Sequence, residues 1–190
     1  GIHIWMLTGD KIETAMNIGV AANLIDNYSE QFIYTEDMIL NEDKIMMKLD
    51  KDILSVEKEL NLPHYDFDDE KKENKKSEKD HNDISTKKRF IYNFFKCIFP
   101  RKKKNVFLLN PDNNDLLTNS SNHVLVIDGS IVDILLSKKF EKKFFYLADK
   151  CTSVICGRVS PYHKGAIVAS ANKLFKKNTL AIGDGANDCN

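Results

Sequence analysis

The chain has 190 residues, with 28 basic and 28 acidic side chains and a hydrophobic fraction of 42%. That length suits one domain with a sizeable core, and the balanced charge argues against a dedicated nucleic-acid-binding protein, which would carry a strong basic excess. No run of 18 apolar residues occurs, so a membrane span is not expected within this segment.

Both ends of the chain predict that it is part of a longer protein. The first residues, GIHIWMLTGD, do not begin with Met and lack the basic region and apolar core of a signal peptide. They start directly on an apolar, strand-like run. At the other end the chain stops at Asn190, two residues after a motif that we expect to continue into further structure.

The four cysteines, Cys97, Cys151, Cys156 and Cys189, form no C-x-x-C pair. The closest two are five positions apart and have no histidine nearby at the spacing of metal ligands. This pattern does not favour a zinc site and is typical of thiols in a cytosolic protein.

Composition divides the chain into three segments. Residues 1–35 and 123–190 are apolar and periodic, whereas residues 36–122 are polar and irregular. In the first segment a strand is predicted at His3–Leu7, followed by a Thr-Gly-Asp turn. Apolar residues at helical spacing then predict a helix of about 14 residues. Its buried face would consist of Ala15, Ile18, Ala22 and Ile25.

The third segment alternates short apolar runs with helical patterns. Strands are predicted at Val124–Ile127, Ser153–Cys156 and Thr179–Ile182. Pro161 would open a helix after the second of them. After the first, a helical pattern would bury Leu135, Phe140, Phe144 and Leu147. Strands that alternate with helices predict an α/β fold with a parallel sheet and right-handed crossovers.

The middle segment has a different character. The stretch from Phe32 to about Leu62 can contribute a strand and a helix, whereas Tyr65 to Asn122 is dominated by Lys, Asn, Asp, Glu and Ser. Such a composition buries too little apolar surface to offset the entropy of ordering, so we predict a long, largely disordered insertion. Within it, residues 87–104 combine eight basic side chains with five aromatic ones and no acidic ones. This pattern favours an anionic membrane surface, or else reflects a lysine-rich composition alone.

Polar clusters follow three of the predicted strands, at Thr8–Lys11, Arg158–Lys164 and Gly183–Asp188 (GDGAND). Ligands of an open parallel sheet bind at the carboxyl ends of its strands, so we expect the clusters to meet at one edge. Together they offer a hydroxyl group, two cations and at least two carboxylates. That set suits a phosphoryl group with a hard divalent cation.

Each residue type fits such a site. Thr8 and the backbone N–H groups after it can hold phosphate oxygens at a helix N-terminus, and Lys164 can neutralise phosphoryl charge. Asp184 and Asp188 can reach one Mg²⁺ directly or through water. The alternatives are structural. Thr-Gly-Asp is also a helix-capping turn, a lysine three residues after a proline is often a solvated helix residue, and a Gly-Asp turn explains part of GDGAND.

The strings WMLTGDKIETAMNIGVAANLI, VLVIDGS, SVICGRVSPYHKGAIV and TLAIGDGAND resemble, in this order, the phosphorylation domain of P-type ATPases. VICGRVSP resembles the phospholipid-transporting (flippase) branch rather than the ion pumps. These strings lie within residues 1–35 and 123–190, about half of the chain, and the stretch between them resembles the Lys/Asn-rich insertions of protozoan proteins. The resemblance implies a partial haloacid-dehalogenase-like, Rossmannoid parallel sheet.

The resemblance also implies roles for individual residues. Thr8 and Lys164 would act in catalysis, and Asp184 and Asp188 would bind the metal. ATP and its phosphates would contact Thr8, Gly9, Asp10, Arg158, Lys164, Asn187 and Asp188. The implied chemistry is a Mg²⁺-dependent transfer of the γ-phosphate of ATP to a carboxylate, followed by hydrolysis.

Several parts of that family's machinery are absent from this sequence. The DKTGT motif with the nucleophilic aspartate does not occur, and neither do the nucleotide-binding domain, the actuator domain or the membrane helices. The resemblance therefore implies a cytosolic segment of an integral membrane protein that acts on phospholipid, with an accessory membrane subunit as a further partner. We expect the segment to be inactive alone.

Two other functions stay open. A flippase-like ATPase region fused to a guanylate cyclase would contain the same half-chain, and a soluble phosphatase of the same fold superfamily would need its own nucleophilic aspartate on a first strand. The string SPYHKGA departs from the family's usual SPLQKA but keeps the lysine. His163, beside that lysine, is either a helix-surface residue or a proton donor.

Overall fold

The computed structural model describes residues 2–67, 121–175, 178–185 and 188. The described residues up to His64 and from 121 onwards form one compact unit, and residues 65–67 belong to a second. In the second unit the rings of Tyr65 and Phe67 pack edge to face, with their centroids 4.7 Å apart. The first unit carries every predicted site residue that the structure describes.

The first unit is built on a parallel sheet of four strands in the order β1-β4-β3-β2. In chain order these are β1 (Ile4–Leu7), β2 (Glu30–Tyr34), β3 (Ser121–Asp128) and β4 (Cys151–Gly157). The helices are α1 (Ile12–Ala21), α2 (Glu42–Glu59), α3 (Val132–Leu135), α4 (Glu141–Lys150) and α5 (Pro161–Phe175). Single 3₁₀ turns occur at Glu36–Met38 and Gly129–Ile131. The predicted α/β fold with a parallel sheet is confirmed.

The two central strands form the core because both of their faces are covered. Residues 124–127 of β3 are all fully buried, which is typical of a continuous apolar run in a parallel sheet. On one face Val126 and Ile155 pack with Ala15 of α1. Because side chains alternate along a strand, Trp5 lies on the other face, where it stacks on Phe145 of α4 with ring centroids 5.7 Å apart.

The first helix is shorter than predicted, and only part of its predicted buried face is confirmed. Ala15 and Ile25 are buried, but the helix has 10 residues, Ile18 is 41% exposed, and Ala22, just beyond the helix, is also exposed. Gly19 faces the sheet instead, where an added Cβ would lie 2.5 Å from Cδ1 of Ile155. The helix therefore approaches the sheet through a glycine, which carries no apolar side chain for a periodicity analysis to detect.

Other predicted elements are confirmed. The face formed by Leu135, Phe140, Phe144 and Leu147 is buried, although a break after α3 divides the predicted helix in two. The strand and helix expected within residues 32–62 are β2 and α2. The predicted disordered insertion and its basic-aromatic stretch at 87–104 lie in residues 68–120, outside the described residues.

The last predicted strand, Thr179–Ile182, is wrong for this structure. These residues have no regular secondary structure, and Leu180 and Ile182 are 83% and 88% exposed. A strand needs a neighbour for its backbone hydrogen bonds. The edge strand β1 pairs only with β4 among the described residues, and residues 179–182 do not add to its free edge.

Cys151 and Cys156 are buried and form no disulfide, as predicted for thiols. Burial raises the pKa of the Cys156 thiol to about 12, which makes it a poor nucleophile. Cys97 and Cys189 lie outside the described residues. No described helix combines the length and the apolar character that crossing a bilayer requires.

Candidate phosphate-binding site

The Thr-Gly-Asp turn follows β1 directly at the carboxyl end of the sheet. The Thr8 hydroxyl donates a hydrogen bond to Oδ2 of Asp10 at 3.1 Å and accepts one from the Asp10 backbone N–H at 3.2 Å. The N-cap residue of α1 is Lys11, whose side chain makes no capping hydrogen bond. Thr8 and Asp10 are therefore not the cap residue of α1, and the structural alternative for this turn loses its main support.

The loop after β4 is fixed to this turn through backbone hydrogen bonds. The N–H of Arg158 donates to the carbonyl of Asp10 at 2.6 Å, and the N–H of Val159 donates to the carbonyl of Thr8 at 3.0 Å. Gly157 permits this close approach, because an added Cβ there would lie 2.8 Å from Cα of Ile12. Two of the three predicted clusters are thus held together.

Lys164 lies in the first turn of α5, where it meets the third cluster. Its Nζ donates to Oδ1 of Asp188 at 2.5 Å. The two side chains are only 18% and 15% exposed, so Lys164 is not a solvated helix residue. The hydrogen bond from Lys164 lowers the pKa of Asp188, so this carboxyl stays ionised at neutral pH.

The loop that carries Asp188 is closed by local hydrogen bonds. The backbone N–H of Asp184 donates to Oδ2 of Asp188 at 3.3 Å, and the N–H of Asp188 donates to the carbonyl of Gly185 at 3.0 Å. Gly183 has no room for a side chain, since an added Cβ would collide with the side chain of Asp188. Asn187, predicted to support the phosphate, lies outside the described residues.

The carboxylates of this loop can supply part of the coordination shell of Mg²⁺. Within residues 2–67, 121–175, 178–185 and 188, no group of three or more His, Cys, Asp or Glu side chains forms a metal-binding cluster. Mg²⁺ is usually held by one or two carboxylates together with substrate phosphates and water. Asp184, which is exposed, and Asp188 supply two such carboxylates from one loop. They suit a magnesium ion that is shared with a phosphorylated ligand.

Arg158 points its guanidinium group towards β3 and β2. Its Nε donates to both carboxylate oxygens of Asp128, at 3.1 and 3.0 Å, and one terminal nitrogen contacts both Asp128 and Glu36. Burial alone would raise the pKa of Asp128, but hydrogen bonds from Arg158 and Ser130 outweigh it and lower the pKa. Hydrogen bonds to Asp128 and Glu36 raise the pKa of Arg158.

Asp128 and Glu36 were missed as site residues. Both follow the carboxyl end of a strand, Asp128 as the last residue of β3 and Glu36 just after β2. The rule that places ligand-binding residues at strand ends, which found the other clusters, would have found these two as well. His163, considered as a proton donor, pairs with Asp133 of α3 at 3.0 Å.

A cleft of about 1110 Å³ opens beside the Lys164–Asp188 pair. Its walls include the apolar side chains of β1, of α5 and of the irregular stretch after α5, among them Leu7, Ile167 and Leu180. Lys164 and Asp188 themselves line the same cleft. The cleft therefore combines apolar walls with a charged pair of residues that is compatible with phosphate.

Curated relatives match almost the entire chain. A phospholipid-transporting ATPase, dnf2, of Schizosaccharomyces pombe is 32% identical over 188 residues, which make up 99% of this chain and 10% of that protein. The probable phospholipid-transporting ATPase 11 of Arabidopsis thaliana is 34% identical over 194 residues, or 99% of this chain and 12% of that protein. The chain is similar to a segment of these phospholipid-transporting ATPases.

The similarity extends across kingdoms. Phospholipid-transporting ATPase VA of Homo sapiens is 30% identical over 188 residues, again 99% of this chain and 10% of that protein. The chain thus spans about a tenth of the length of these relatives. No protein-family model matches it.

Proposed function

We propose that the chain is part of the phosphorylation domain of a Mg²⁺-dependent, ATP-driven P-type ATPase that translocates phospholipids. One observation carries the proposal: Lys164, on the helix that follows the loop bonded to the Thr-Gly-Asp turn, pairs with Asp188 in the wall of a large cleft. The identity of 30–34% with phospholipid-transporting ATPases over 99% of the chain supports the same reading.

The reaction would begin with a carboxylate supplied by another part of the protein. Its oxygen forms a bond to the γ-phosphorus of ATP, the bond from that phosphorus to the β–γ bridging oxygen breaks, and ADP leaves. Water then attacks the aspartyl phosphate and releases inorganic phosphate. Bound Mg²⁺ would neutralise charge on the transferring oxygens.

The residues of this chain would position the phosphoryl group and balance its charge. The Thr8 hydroxyl and the N–H groups at the start of α1 would donate to phosphoryl oxygens. Lys164 would place its cation against the same oxygens while Asp188 holds its Nζ in position. Asp184 and Asp188 would be the ligands for Mg²⁺, and Arg158 would contact ATP.

The cleft supports a haloacid-dehalogenase-like sheet that is completed by the rest of the protein. β1 is an edge strand, and residues 179–182, which have no regular secondary structure, line the same cleft. A strand that carries the nucleophilic aspartate would pair with β1 and fill the cleft. Its carboxyl end would then lie beside Lys164, and 179–182 would gain the neighbour it needs to form a strand.

The whole protein would be integral to a membrane, with this segment on the cytosolic side. Phospholipid, and an accessory membrane subunit where one exists, would contact parts outside the chain.

The proposal is tested by reconstituting the full-length protein in vesicles and measuring ATP hydrolysis, acid-stable phosphoenzyme and transfer of a fluorescent phospholipid between leaflets. We expect all three, each dependent on Mg²⁺. Phosphoenzyme without lipid transfer would favour the cyclase fusion, and phosphatase activity without either would favour the soluble phosphatase.

Asp184→Asn in the full-length protein should raise the Mg²⁺ concentration that half-saturates phosphoenzyme formation by about tenfold, because a charged metal ligand becomes a neutral one. The measurement is a Mg²⁺ titration of phosphoenzyme at saturating ATP. Asp43→Asn, which replaces an exposed aspartate on α2, is the matched control and should not shift the titration. An unchanged Mg²⁺ requirement in Asp184→Asn would rule out the metal assignment.

A further inference from the structure

Arg158 is held between two carboxylates that differ sharply in environment. The side chain of Asp128 is 1% exposed, whereas that of Glu36 is 62% exposed. Asp128 ends β3 and Glu36 follows β2, whereas Arg158 follows β4, and Glu36 is 122 positions away from Arg158 in the chain. The guanidinium group therefore has one buried partner and one that faces solvent.

The buried partner is itself immobilised. Oδ1 of Asp128 accepts hydrogen bonds from the backbone N–H of Ser130 at 3.0 Å and from its hydroxyl at 2.8 Å. Arg158 meets this carboxylate through Nε and one terminal nitrogen, a two-point contact that fixes the plane of the guanidinium group as well as its position. Asp128 thus sets the orientation of Arg158.

The solvent-facing partner is held less firmly. Glu36 contacts Arg158 through a single oxygen, Oε2, 2.8 Å from the terminal nitrogen that also contacts Asp128. Exposed ion pairs of this kind contribute little to stability, because water replaces either partner at small cost. An anionic oxygen of a ligand can therefore take the position of Glu36 on that nitrogen.

The backbone of Arg158 adopts an unusual conformation. Its φ is +56°, a left-handed conformation that L-residues other than Asn, Asp and His rarely adopt. Backbone hydrogen bonds to the Thr-Gly-Asp turn and the side-chain bonds to Asp128 both hold the residue in place. The other terminal nitrogen of Arg158 makes no hydrogen bond with the residues that the structure describes, so it has donors available for a ligand.

We propose that Asp128 is a positioning residue that orients Arg158 towards ATP, and that Glu36 occupies the guanidinium group until an ATP phosphate displaces it. This inference rests on the proposed function, because Arg158 is assigned to ATP there. In this inference Asp128, the buried carboxylate, improves ATP binding. Glu36, the exposed carboxylate, competes with ATP for Arg158.

The experiment is equilibrium binding of ATP to the full-length protein, measured by calorimetry in EDTA so that no turnover occurs. Asp128→Asn should weaken ATP binding about tenfold. The amide oxygen can still accept the hydrogen bonds from Ser130, but the NH₂ group is a donor and would face the guanidinium donors of Arg158. Glu36→Gln should tighten binding about threefold, because it removes the competing charge. Glu42→Gln, in which an exposed glutamate paired with Lys139 is changed, is the control and should bind ATP as the wild type does.

Measuring Asp128→Asn in a protein that also carries Arg158→Ala distinguishes a positioning role from a merely structural one. In Arg158→Ala the effect of Asp128→Asn on ATP binding should vanish, because Asp128 then has no guanidinium group to orient. Equal losses in both backgrounds would overturn the positioning role, and unchanged binding in Glu36→Gln would overturn the competition. If the wild type binds ATP and forms phosphoenzyme while neither variant changes binding, this inference alone fails. A wild type that binds no ATP contradicts the proposed function too.

Discussion

Lys164→Ala in the full-length protein should lower the rate of phosphoenzyme formation about a thousandfold, which is the scale expected when a cation that stabilises transition-state charge is removed from a preorganised site. Two charges become unbalanced at once. The phosphoryl oxygens lose a cation, and the Asp188 carboxylate loses the partner that lies 2.5 Å away and lowers its pKa. An unpaired carboxylate then repels the incoming phosphoryl group.

The measurement is single-turnover phosphorylation from ATP in rapid-quench experiments. Lys173→Ala is the matched control, because Lys173 lies on the same helix but is exposed and has no part in the predicted site. It should react at the wild-type rate. A Lys164→Ala protein that is phosphorylated as fast as the Lys173→Ala protein would contradict the assignment of Lys164 to the phosphoryl group.

The position of the site was predictable from the sequence because it depends on where each apolar run ends along the chain. Thr8, Lys164 and Asp188 each follow a buried apolar run, and parallel strands bring such positions to one edge. The structure links the first cluster to the second through the backbone of Val159, and the second to the third through Lys164 and Asp188. The residue roles themselves stay predictions.

The partners of Arg158 could not be predicted from spacing, because they depend on strand order. The side chain is bound by Asp128, the last residue of β3, and by Glu36, just after β2, which lie 30 and 122 positions away in the chain. Only the order β1-β4-β3-β2 shows that these strand ends are neighbours of Arg158. From the sequence alone, we expected the guanidinium group of Arg158 to be available for ATP. The two carboxylates that bind it were not expected.

The stretch 179–182 shows a second limit of local reasoning. Its apolar residues are typical of a buried strand, yet Leu180 and Ile182 are exposed here. Strand propensity expresses how well residues fit a half-buried, hydrogen-bonded surface, and that surface must be provided by a neighbouring strand. A strand from another part of the protein, as we propose above, would explain both the failed prediction and the cleft beside β1.

Among glycine-to-alanine substitutions at the site, Gly129→Ala should destabilise the protein most, at the carboxyl end of β3. An added Cβ would overlap the carbonyl oxygen of Arg158 and lie 2.5 Å from its carbonyl carbon and 3.0 Å from the backbone nitrogen of Val159. These are backbone atoms, fixed by hydrogen bonds to the Thr-Gly-Asp turn, so they cannot rotate away as a side chain would. We expect a loss of about 3 kcal/mol in local stability, at the upper end of what overpacking costs.

The loss should appear in hydrogen exchange of the full-length protein, as faster exchange in peptides from β3, from β4 and from the turn at residues 8–10. Gly9→Ala is the control for stability, because its added Cβ would lie 3.9 Å from the nearest backbone oxygen, an ordinary contact, and its φ is not positive. Its exchange should match the wild type. If Gly129→Ala also exchanged as the wild type does, residues 129 and 158 would not be packed backbone to backbone. The loop that carries Arg158 would then lack its rigid support, and the two-point contact with Asp128 could not orient the guanidinium group.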